Sequence, residues 1–167
     1  KWLPKFSEGW VSAFALTEPN AGSDPANMTT TATLSEDGKS WVLNGEKLWC
    51  TNGVVADLIV VMAVSGTRMS SRGKTVNKIS AFLVQTDTPG LEVMHRCRFM
   101  GIKAIENGIL RFNNCTIPAE NIIGGEVFSD KILTIDYQNQ QMQVRESSSK
   151  DVKPKSYEYS KLYDKTF

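Results

Sequence analysis

Short runs of apolar and β-branched residues constrain the fold of this chain more than any other feature of its sequence. Many of these runs alternate apolar and polar residues with a period of two, which is typical of β-strands. The runs cover residues 11–17, 29–34, 41–43, 47–50, 58–64, 79–85, 91–94 and 109–112. No amphipathic segment longer than about three turns of helix stands out between them. The sequence therefore predicts an all-β fold, an antiparallel β-barrel or sandwich.

Turn dipeptides separate several of these runs and set the expected connections between strands. They are Asp37-Gly38, Asn44-Gly45 and Pro89-Gly90. The first two lie between predicted strands and favour tight hairpins, because asparagine, aspartate and glycine tolerate positive φ angles. The third favours a further turn.

The two most apolar runs are expected to lie at the centre of the fold. Residues 58–64 and 79–84 are apolar on both faces, as strands buried between two layers tend to be. The segment between them, residues 65–77, is polar, basic and glycine-containing, which predicts a mobile loop. We therefore expect a closed or nearly closed antiparallel barrel over residues 8–126.

The sequence changes character after Glu126. Two strand-like runs there flank a polar turn, which predicts a β-hairpin over residues 131–145. Serine, lysine and aspartate prevail beyond Glu146, which predicts a loosely packed end. We therefore expect a first domain over residues 1–126 and a tail over residues 127–167.

Charge and composition argue against several classes of protein. Nineteen lysines and arginines balance eighteen aspartates and glutamates, a formal net charge of +1 that does not favour a nucleic-acid partner. The longest apolar run is too short to span a bilayer, and no apolar stretch typical of a signal peptide follows the first residues. The cysteines, Cys50, Cys97 and Cys115, lie far apart, which predicts reduced thiols in the cytoplasm or the mitochondrial matrix.

The segment FALTEPNAGSD, residues 14–24, is the first candidate site. A strand is expected to end at Thr17 and to enter a turn of small residues, where backbone N–H groups can converge on an anion. The hydroxyls of Thr17 and Ser23 add hydrogen-bond donors. The alternative interpretation is an ordinary polar loop that is capped by Asp24.

The segment EKLWCTNG, residues 46–53, is the second candidate site. A tryptophan such as Trp49, beside a hydroxyl group at a strand end, can stack on a flat ring while Thr51 hydrogen-bonds the edge of that ring. The alternative is a core tryptophan followed by a turn. The sequence contains no Ser–His–Asp set, metal-ligand cluster or GxGxxG motif, and we expect the single histidine, His95, to be an ordinary side chain.

Together these segments resemble the paired signatures of the middle β-domain of acyl-CoA dehydrogenases, in the forms LTEPNAGSD and NGEKLWCTNG. KWLPKF, at residues 1–6, resembles the last turn of that family's N-terminal helical domain. KISAFLVQTDTPGLEV resembles the next strands, and MGIKA and LRFNNCTIPAENIIGG resemble the closing strand and the connection to the C-terminal helices. The resemblance spans residues 1–126 nearly without gaps, whereas the tail does not match.

The resemblance implies that FAD lies across this domain. The implied cofactor-binding residues are Phe14, Ala15, Leu16, Thr17, Gly22, Ser23, Trp49, Cys50 and Thr51. The Thr17 hydroxyl is expected at the flavin ring, Trp49 against that ring, and Thr51 near the reactive nitrogen. Ser23 also matches a position that contacts the acyl-CoA substrate. The sequence departs from the family pattern in two places. Cys50 stands where relatives commonly carry isoleucine, and residues 105–107 stand where many relatives carry serine and threonine.

The resemblance also implies the reaction. It predicts an FAD- and acyl-CoA-binding domain of an oxidoreductase acting on the CH–CH group of acyl-CoA thioesters, with an electron-transfer flavoprotein as partner and a homo-oligomer as an expected assembly. In the family the catalytic carboxylate comes from helices after the barrel, which residues 127–167 do not match. We therefore assign no catalytic residue, expect Glu18 to be structural, and expect the chain to be incomplete as an enzyme. The alternative is a truncated or chimeric β-barrel that acts as a non-catalytic binding module. A general β-sandwich binding module would require both signatures to arise by chance.

Overall fold

Most of the alternating runs form strands in the structure, and regular structure in the described part of the chain is almost entirely β. The computed structural model describes residues 2–70 and 73–123, together with the backbone of strands at residues 131–136, 141–146 and 155–158. By contacts between residues the chain separates into two units, Lys1–Ile123 and Gly124–Phe167.

The first unit begins with a short helix, α1 (Leu3–Ser7), at the place where the sequence resembles a helix turn. Pro4 lies in the first turn of this helix, where the missing N–H has no intrahelical partner to lose. The helix ends before Gly9, whose φ of 100° only glycine adopts readily and whose N–H donates to the carbonyl of Phe6. A short 3-10 turn follows at Pro25–Asn27 and another at Ala119–Asn121.

The strands of the first unit form one sheet in the described part of the chain. They are β1 (Ser12–Ala15), β2 (Thr31–Leu34), β3 (Ser40–Thr51), β4 (Leu58–Met69), β5 (Thr75–Gln85), β6 (Leu91–Arg96), β7 (Asn107–Pro118) and β8 (Ile122–Ile123). Their order in the sheet is β6-β7-β3-β2-β4-β5-β8, and β1 pairs with β4 beside this path. The predicted all-β class is confirmed.

Two pairings depart from a purely antiparallel sheet. Strand β1 runs parallel to β4, with Phe14 opposite Val60, and β2 meets β4 in a parallel pairing of Thr31 with Val64. Hairpin signals in a sequence report only antiparallel neighbours. Because β1 and β4 are separated by β2 and β3 along the chain, a long connection allows them to run in the same direction.

Strands β4 and β5 form the centre of the core, as their apolar sequences predict. Leu58 and Ile59 are consecutive and both buried, and Phe82 and Val84 are buried with the leucine between them. Consecutive strand residues point to opposite faces of a sheet, so both faces of these strands are covered.

Of the two dipeptides that were predicted to form hairpin turns, only one does so. Asp37-Gly38 forms the predicted hairpin between β2 and β3, with a φ of 67° at Gly38. Asn44-Gly45 does not form a turn, since β3 continues through it with a register shift against β7. A β-carbon on Gly45 would lie 2.5 Å from the Oγ1 of Thr30, so glycine is needed there for close approach and not for a hairpin.

The predicted mobile loop over residues 65–77 is wrong for most of that span. Strands β4 and β5 continue as a paired hairpin from Gly66 and Lys78 out to Met69 and Thr75. Polar side chains do not prevent this, because exposed strand positions need only backbone partners. Residues 71–72 lie outside the described part.

The second unit contains the predicted hairpin. Strands β9 (Lys131–Asp136) and β10 (Gln141–Glu146) pair antiparallel, which confirms it. A third strand that the sequence did not predict, β11 (Lys155–Glu158), pairs antiparallel with β10. The rest of the end that was predicted to be loosely packed lies outside the described residues, and the boundary at residue 126 stays a prediction.

Candidate functional site

A buried ion pair joins the two candidate segments. The Nζ atom of Lys47 lies 2.7 Å from Oε1 of Glu18 and donates a second hydrogen bond to the carbonyl of Leu16. The carboxylate of Glu18 also accepts hydrogen bonds from the N–H and hydroxyl of Thr29 and from the N–H of Thr30. Lys47 is 0% exposed and Glu18 is 3% exposed. The pair therefore anchors the loop of the first segment to strand β3 of the second.

The surroundings of Glu18 keep its carboxylate ionised. Burial alone would raise its pKa, but hydrogen bonds from Lys47, Thr30 and Thr29 outweigh burial and lower the pKa to about 2. Burial also lowers the pKa of Lys47, and Glu18 acts against that shift. A carboxylate with so low a pKa and so many partners is a poor proton acceptor at neutral pH. Its environment therefore agrees with the structural role expected for Glu18.

Trp49 is held in a strained and exposed conformation. Its φ is 52°, in the left-handed region, and the pairing of β3 with β7 shifts register between Lys47 and Cys50. Such a conformation costs roughly 1–2 kcal/mol for a residue other than glycine. The side chain is 62% exposed, so the alternative of a core tryptophan is wrong. A left-handed backbone and an outward-facing indole therefore occur together at Trp49.

Three hydrogen bonds hold the strained turn. The N–H of Leu48 donates to the carbonyl of Thr17 at 2.8 Å. The side-chain Nδ2 of Asn107 donates to the carbonyl of Trp49 at 3.0 Å and to the Oγ1 of Thr51 at 3.2 Å. The turn is therefore fixed on one side by the first segment and on the other by the first residue of β7.

A second exposed aromatic side chain lies on the neighbouring strand β1. Phe14 is 56% exposed, whereas Ala13 and Ala15 on either side of it are buried. The thiol of Cys50 lies 3.5 Å from the carbonyl of Phe14, which places the residue directly after Trp49 against β1. Burial raises the pKa of Cys50 to about 11, so this thiol stays protonated and serves packing.

The loop after Thr17 divides into a capped part and an open part. Asp24 caps the 3-10 turn by accepting the N–H of Ala26 and the Nδ2 of Asn27, as the polar-loop interpretation expects. Gly22 and Ser23, in contrast, are exposed and bond to no other residue that the structure describes. A β-carbon on Gly22 would meet nothing within 4 Å, so its backbone is open to a ligand.

The structure brings several predicted site residues together but not all of them to the surface. Thr17, Trp49 and Thr51 belong to one hydrogen-bonded arrangement, with Thr51 exposed. Ala15 and Cys50 are each only 1% exposed, so a surface ligand could reach little of either. Their cofactor contacts, like those of the other implied residues, stay predictions.

Asn107 and Lys47 have contacts that sequence inspection did not foresee. Asn107 was notable only as a departure from the family pattern, and its position opposite Thr51 depends on a register with two shifts. Lysine is a residue type that is almost never fully buried. Its partner Glu18 lies 29 positions away. The immediate neighbours of Lys47 are Glu46 and Leu48, so the local sequence carries no clear signal for its burial.

Other features complete the description of the first unit. An open cavity of about 420 Å³ between β6 and β7 contains none of the predicted site residues; it is lined by Arg96, Cys97, Arg98, Phe99, Ile102, Lys103 and Ile105. All three cysteines are free thiols. Among the described residues no group of three or more potential ligands could hold a metal ion. In the same part of the chain no helix has the length and hydropathy needed to cross a membrane.

Comparisons with known proteins agree with this geometry. The family model for the acyl-CoA dehydrogenase middle domain matches residues 13–115. A protein of Mycobacterium tuberculosis described as a probable acyl-CoA dehydrogenase is 50% identical over 126 residues, which are 75% of this chain and 19% of the relative. The mitochondrial short-chain specific acyl-CoA dehydrogenase of Rattus norvegicus is 40% identical over 139 residues, 81% of this chain and 32% of the relative.

A solved structure is also similar to this chain. The acyl-CoA dehydrogenase of Bacillus anthracis, solved in complex with FAD, has a TM-score of 0.65 and 38% sequence identity, covering 74% of this chain and 20% of that chain. The chain thus spans only about a fifth to a third of the length of these relatives. It belongs to the acyl-CoA dehydrogenase family and contains the middle domain of that family.

Proposed function

We propose that residues 1–126 form the FAD- and acyl-CoA-binding β-domain of a flavin-dependent oxidoreductase that acts on the CH–CH group of acyl-CoA thioesters. The observation that carries this proposal is the open, strained Trp49 beside Thr51. Strain of this kind persists only where the surroundings enforce it, and it clusters at ligand sites. The family match and the FAD complex of the Bacillus anthracis relative support flavin as the ligand.

The residues present fit a large planar cofactor. The exposed indole of Trp49 offers a stacking surface, and the exposed hydroxyl of Thr51 can hydrogen-bond the edge of a ring. The open backbone at Gly22 and Ser23 offers N–H groups to an anionic group such as a phosphate. When bound, the flavin would accept a hydride from the β-carbon of the substrate.

Each of these residues has a distinct role in the proposal. Trp49 orients the ring by stacking, while Thr51 and the hydroxyl of Thr17 hydrogen-bond it. Ser23 contacts the acyl-CoA. Ala15, Leu16 and Cys50 contribute to the cofactor site mainly by positioning the exposed residues beside them, since they are buried or half-buried.

The proposal leaves the catalytic base outside the candidate site. Removing the α-proton of an acyl thioester requires a base within hydrogen-bond reach of that proton. Glu18, the carboxylate inside the first signature, has its oxygens occupied and its pKa lowered to about 2. We therefore propose that the middle domain binds and positions the cofactor and the substrate, and that the catalytic base comes from another part of the enzyme. An electron-transfer flavoprotein as partner, assembly into a homo-oligomer, and location in the cytoplasm or the mitochondrial matrix belong to the same proposal.

Titration of FAD into the purified chain tests the cofactor assignment. We expect binding that Trp49→Ala weakens more than Thr51→Ala, because the indole loses stacking area while Thr51 loses one hydrogen bond worth roughly 0.5–1.5 kcal/mol. Met69→Ala is the matched control, since Met69 is 69% exposed on the β4–β5 hairpin and belongs to neither signature. Equal affinities of the Trp49 and Thr51 variants would refute stacking, and absence of any FAD binding would favour the non-catalytic binding module.

A further inference from the structure

The side chain of Asn107 is the least explained polar group beside the candidate site. Asn107 begins β7 opposite Thr51 and is 5% exposed. Its backbone is anchored because its carbonyl accepts the N–H of Cys97 at 2.8 Å. Its amide nitrogen has two acceptors, the carbonyl of Trp49 and the Oγ1 of Thr51. Its Oδ1 atom is buried and has no partner in the described part of the chain.

The orientation of this amide follows from chemistry. The carbonyl of Trp49 can only accept a hydrogen bond, so the nitrogen of Asn107 must face it at 3.0 Å. The reversed amide would place two acceptors in contact, which is unfavourable. The same nitrogen then donates its second hydrogen to the Oγ1 of Thr51.

This bond determines how Thr51 can act. A hydroxyl group carries one hydrogen, and here its oxygen already accepts the N–H of Asn107. The hydroxyl hydrogen of Thr51 has no acceptor among the residues that the structure describes, and the residue is exposed. Thr51 is therefore left as a hydrogen-bond donor directed away from Asn107.

Keeping Asn107 in this position is unfavourable for folding. A buried oxygen without a partner lowers stability, and few such groups survive in folded proteins. The strained φ of Trp49 lies one hydrogen bond away. Leucine has a similar volume; it would lose the two hydrogen bonds of the amide nitrogen but would also remove the unpartnered oxygen, so the two changes oppose each other in stability.

We propose that Asn107 is a positioning residue of the cofactor site, which holds the indole of Trp49 outward and keeps Thr51 as a donor to an acceptor atom on the edge of the flavin ring. The inference rests on the proposed function. A donor to the reactive nitrogen would stabilise the oxidised ring more than the reduced ring, because that nitrogen accepts a hydrogen bond when oxidised and carries its own hydrogen when reduced. Asn107 therefore affects both the affinity for FAD and its reduction potential.

Asn107→Leu separates this role from a structural one. We expect the variant to unfold close to the temperature of the wild type, because removal of the buried unpartnered oxygen offsets the loss of the two hydrogen bonds from the amide nitrogen. We also expect FAD affinity to fall about three- to tenfold, the equivalent of one or two hydrogen bonds, and the midpoint potential of the bound flavin to become more positive. Asn107→Ser, which retains one donor, should have an FAD affinity and a midpoint potential between those of the wild type and Asn107→Leu.

A double-mutant cycle with Thr51→Val tests whether Asn107 acts on the flavin through Thr51. If Asn107 acts through Thr51, Asn107→Leu shifts the flavin potential in the wild type but much less in the Thr51→Val background. Equal shifts in both backgrounds, or unchanged affinity and potential in Asn107→Leu, would overturn the proposal. Loss of affinity only in proportion to lost stability would also overturn it.

A ligand-free measurement distinguishes failure of this inference from failure of the proposed function. With 5-fluorotryptophan incorporated, the ¹⁹F resonance that disappears in Trp49→Phe belongs to Trp49. Asn107→Leu should shift or broaden that resonance and leave the resonance of half-buried Trp41 unchanged. If the wild type binds no FAD, the proposed function fails, and an unchanged Trp49 resonance then shows that Asn107 does not position the indole.

Discussion

Strand β3 connects two regions that differ in the burial and hydrogen bonding of their polar groups. The buried pair region consists of Glu18, Thr29, Thr30 and Lys47, and the open turn consists of Trp49, Cys50 and Thr51. In the buried pair region every charged group has a partner, and Glu18, Thr30 and Lys47 are at most 3% exposed. In the open turn an indole is 62% exposed on a strained backbone, and the asparagine that holds it has an unpartnered oxygen.

The difference shows how one strand serves stability and binding at once. The open turn carries roughly 1–2 kcal/mol of backbone strain and a similar cost for the unpartnered amide oxygen. Such a turn keeps one conformation only when its neighbours are rigid. Lys47 lies two residues before Trp49 and is held by Glu18 and by the carbonyl of Leu16. The buried pair region thus supplies rigidity, and the open turn supplies groups that face a ligand.

The largest expected effect concerns catalysis. If the carboxylate of the buried pair region is structural, the 167-residue chain with excess FAD and acyl-CoA thioesters should reduce the flavin far more slowly than an enzyme. A positioned general base contributes about 10²–10⁴-fold, so we expect at least that loss. Anaerobic bleaching of the flavin, followed over a series of acyl chain lengths, measures it. Turnover at roughly 1–10³ per second would show that a base exists within these residues.

Breaking the buried pair should have the next largest effect. Lys47→Met leaves the carboxylate of Glu18 buried without a cation, which should lower the free energy of unfolding by about 3–5 kcal/mol. The matched control on the same sheet is Arg111→Met. Arg111 pairs with Glu46 at 2.8 Å, but both side chains are about 40% exposed, and such a pair contributes about 0–1 kcal/mol. Urea unfolding that gave equal losses for both variants would contradict the structural role of the buried pair region.

The sequence predicts the outline of both regions but not the contacts within them. Alternation of apolar residues predicts the strands, and Asp37-Gly38 predicts its hairpin because aspartate and glycine suit that turn on their own. The same local rule fails at Asn44-Gly45. There the glycine is needed for close approach to Thr30, the residue directly before β2. Local conformational preference is visible in a sequence, whereas a close approach between strands is not.

The candidate site shows the same limit. The signatures identify Trp49 and Thr51 as a pair, but the left-handed backbone of Trp49 arises from a register shift between strands. Asn107 lies opposite Thr51 only in that register, and a slip of one residue would turn its side chain to the other face. Contacts that depend on register therefore required the structure.

The pH dependence of unfolding should sharpen the comparison further. The pKa of Glu18 is about 2 in the folded chain, against an ordinary value of 4.5. A lowered pKa contributes stability that is fully present above 4.5 and is lost as the pH falls towards 2. Glu18→Gln should therefore flatten the decline in urea midpoint over this range. Asp37→Asn is the control, because a hydrogen bond from Ser35 lowers the pKa of Asp37 in an exposed turn, where the contribution to stability is small. A decline of the same steepness in Glu18→Gln would assign the acid sensitivity to other groups.

The smallest expected effect tests the strain in the open turn. Trp49→Gly should be more stable than Trp49→Ala by up to about 1 kcal/mol, because glycine adopts a φ of 52° without the left-handed penalty, although its unfolded chain is more flexible. At Val42, a position of the same strand without a positive φ, glycine should instead be less stable than alanine by about 0.5–1 kcal/mol. Both Trp49 variants should lose FAD affinity to the same extent, since neither retains the indole. Thermal and urea unfolding of the four variants provide the comparison. If glycine is the less stable residue at both positions, Trp49 is not strained, and the contrast between the open turn and the buried pair region reduces to exposure alone.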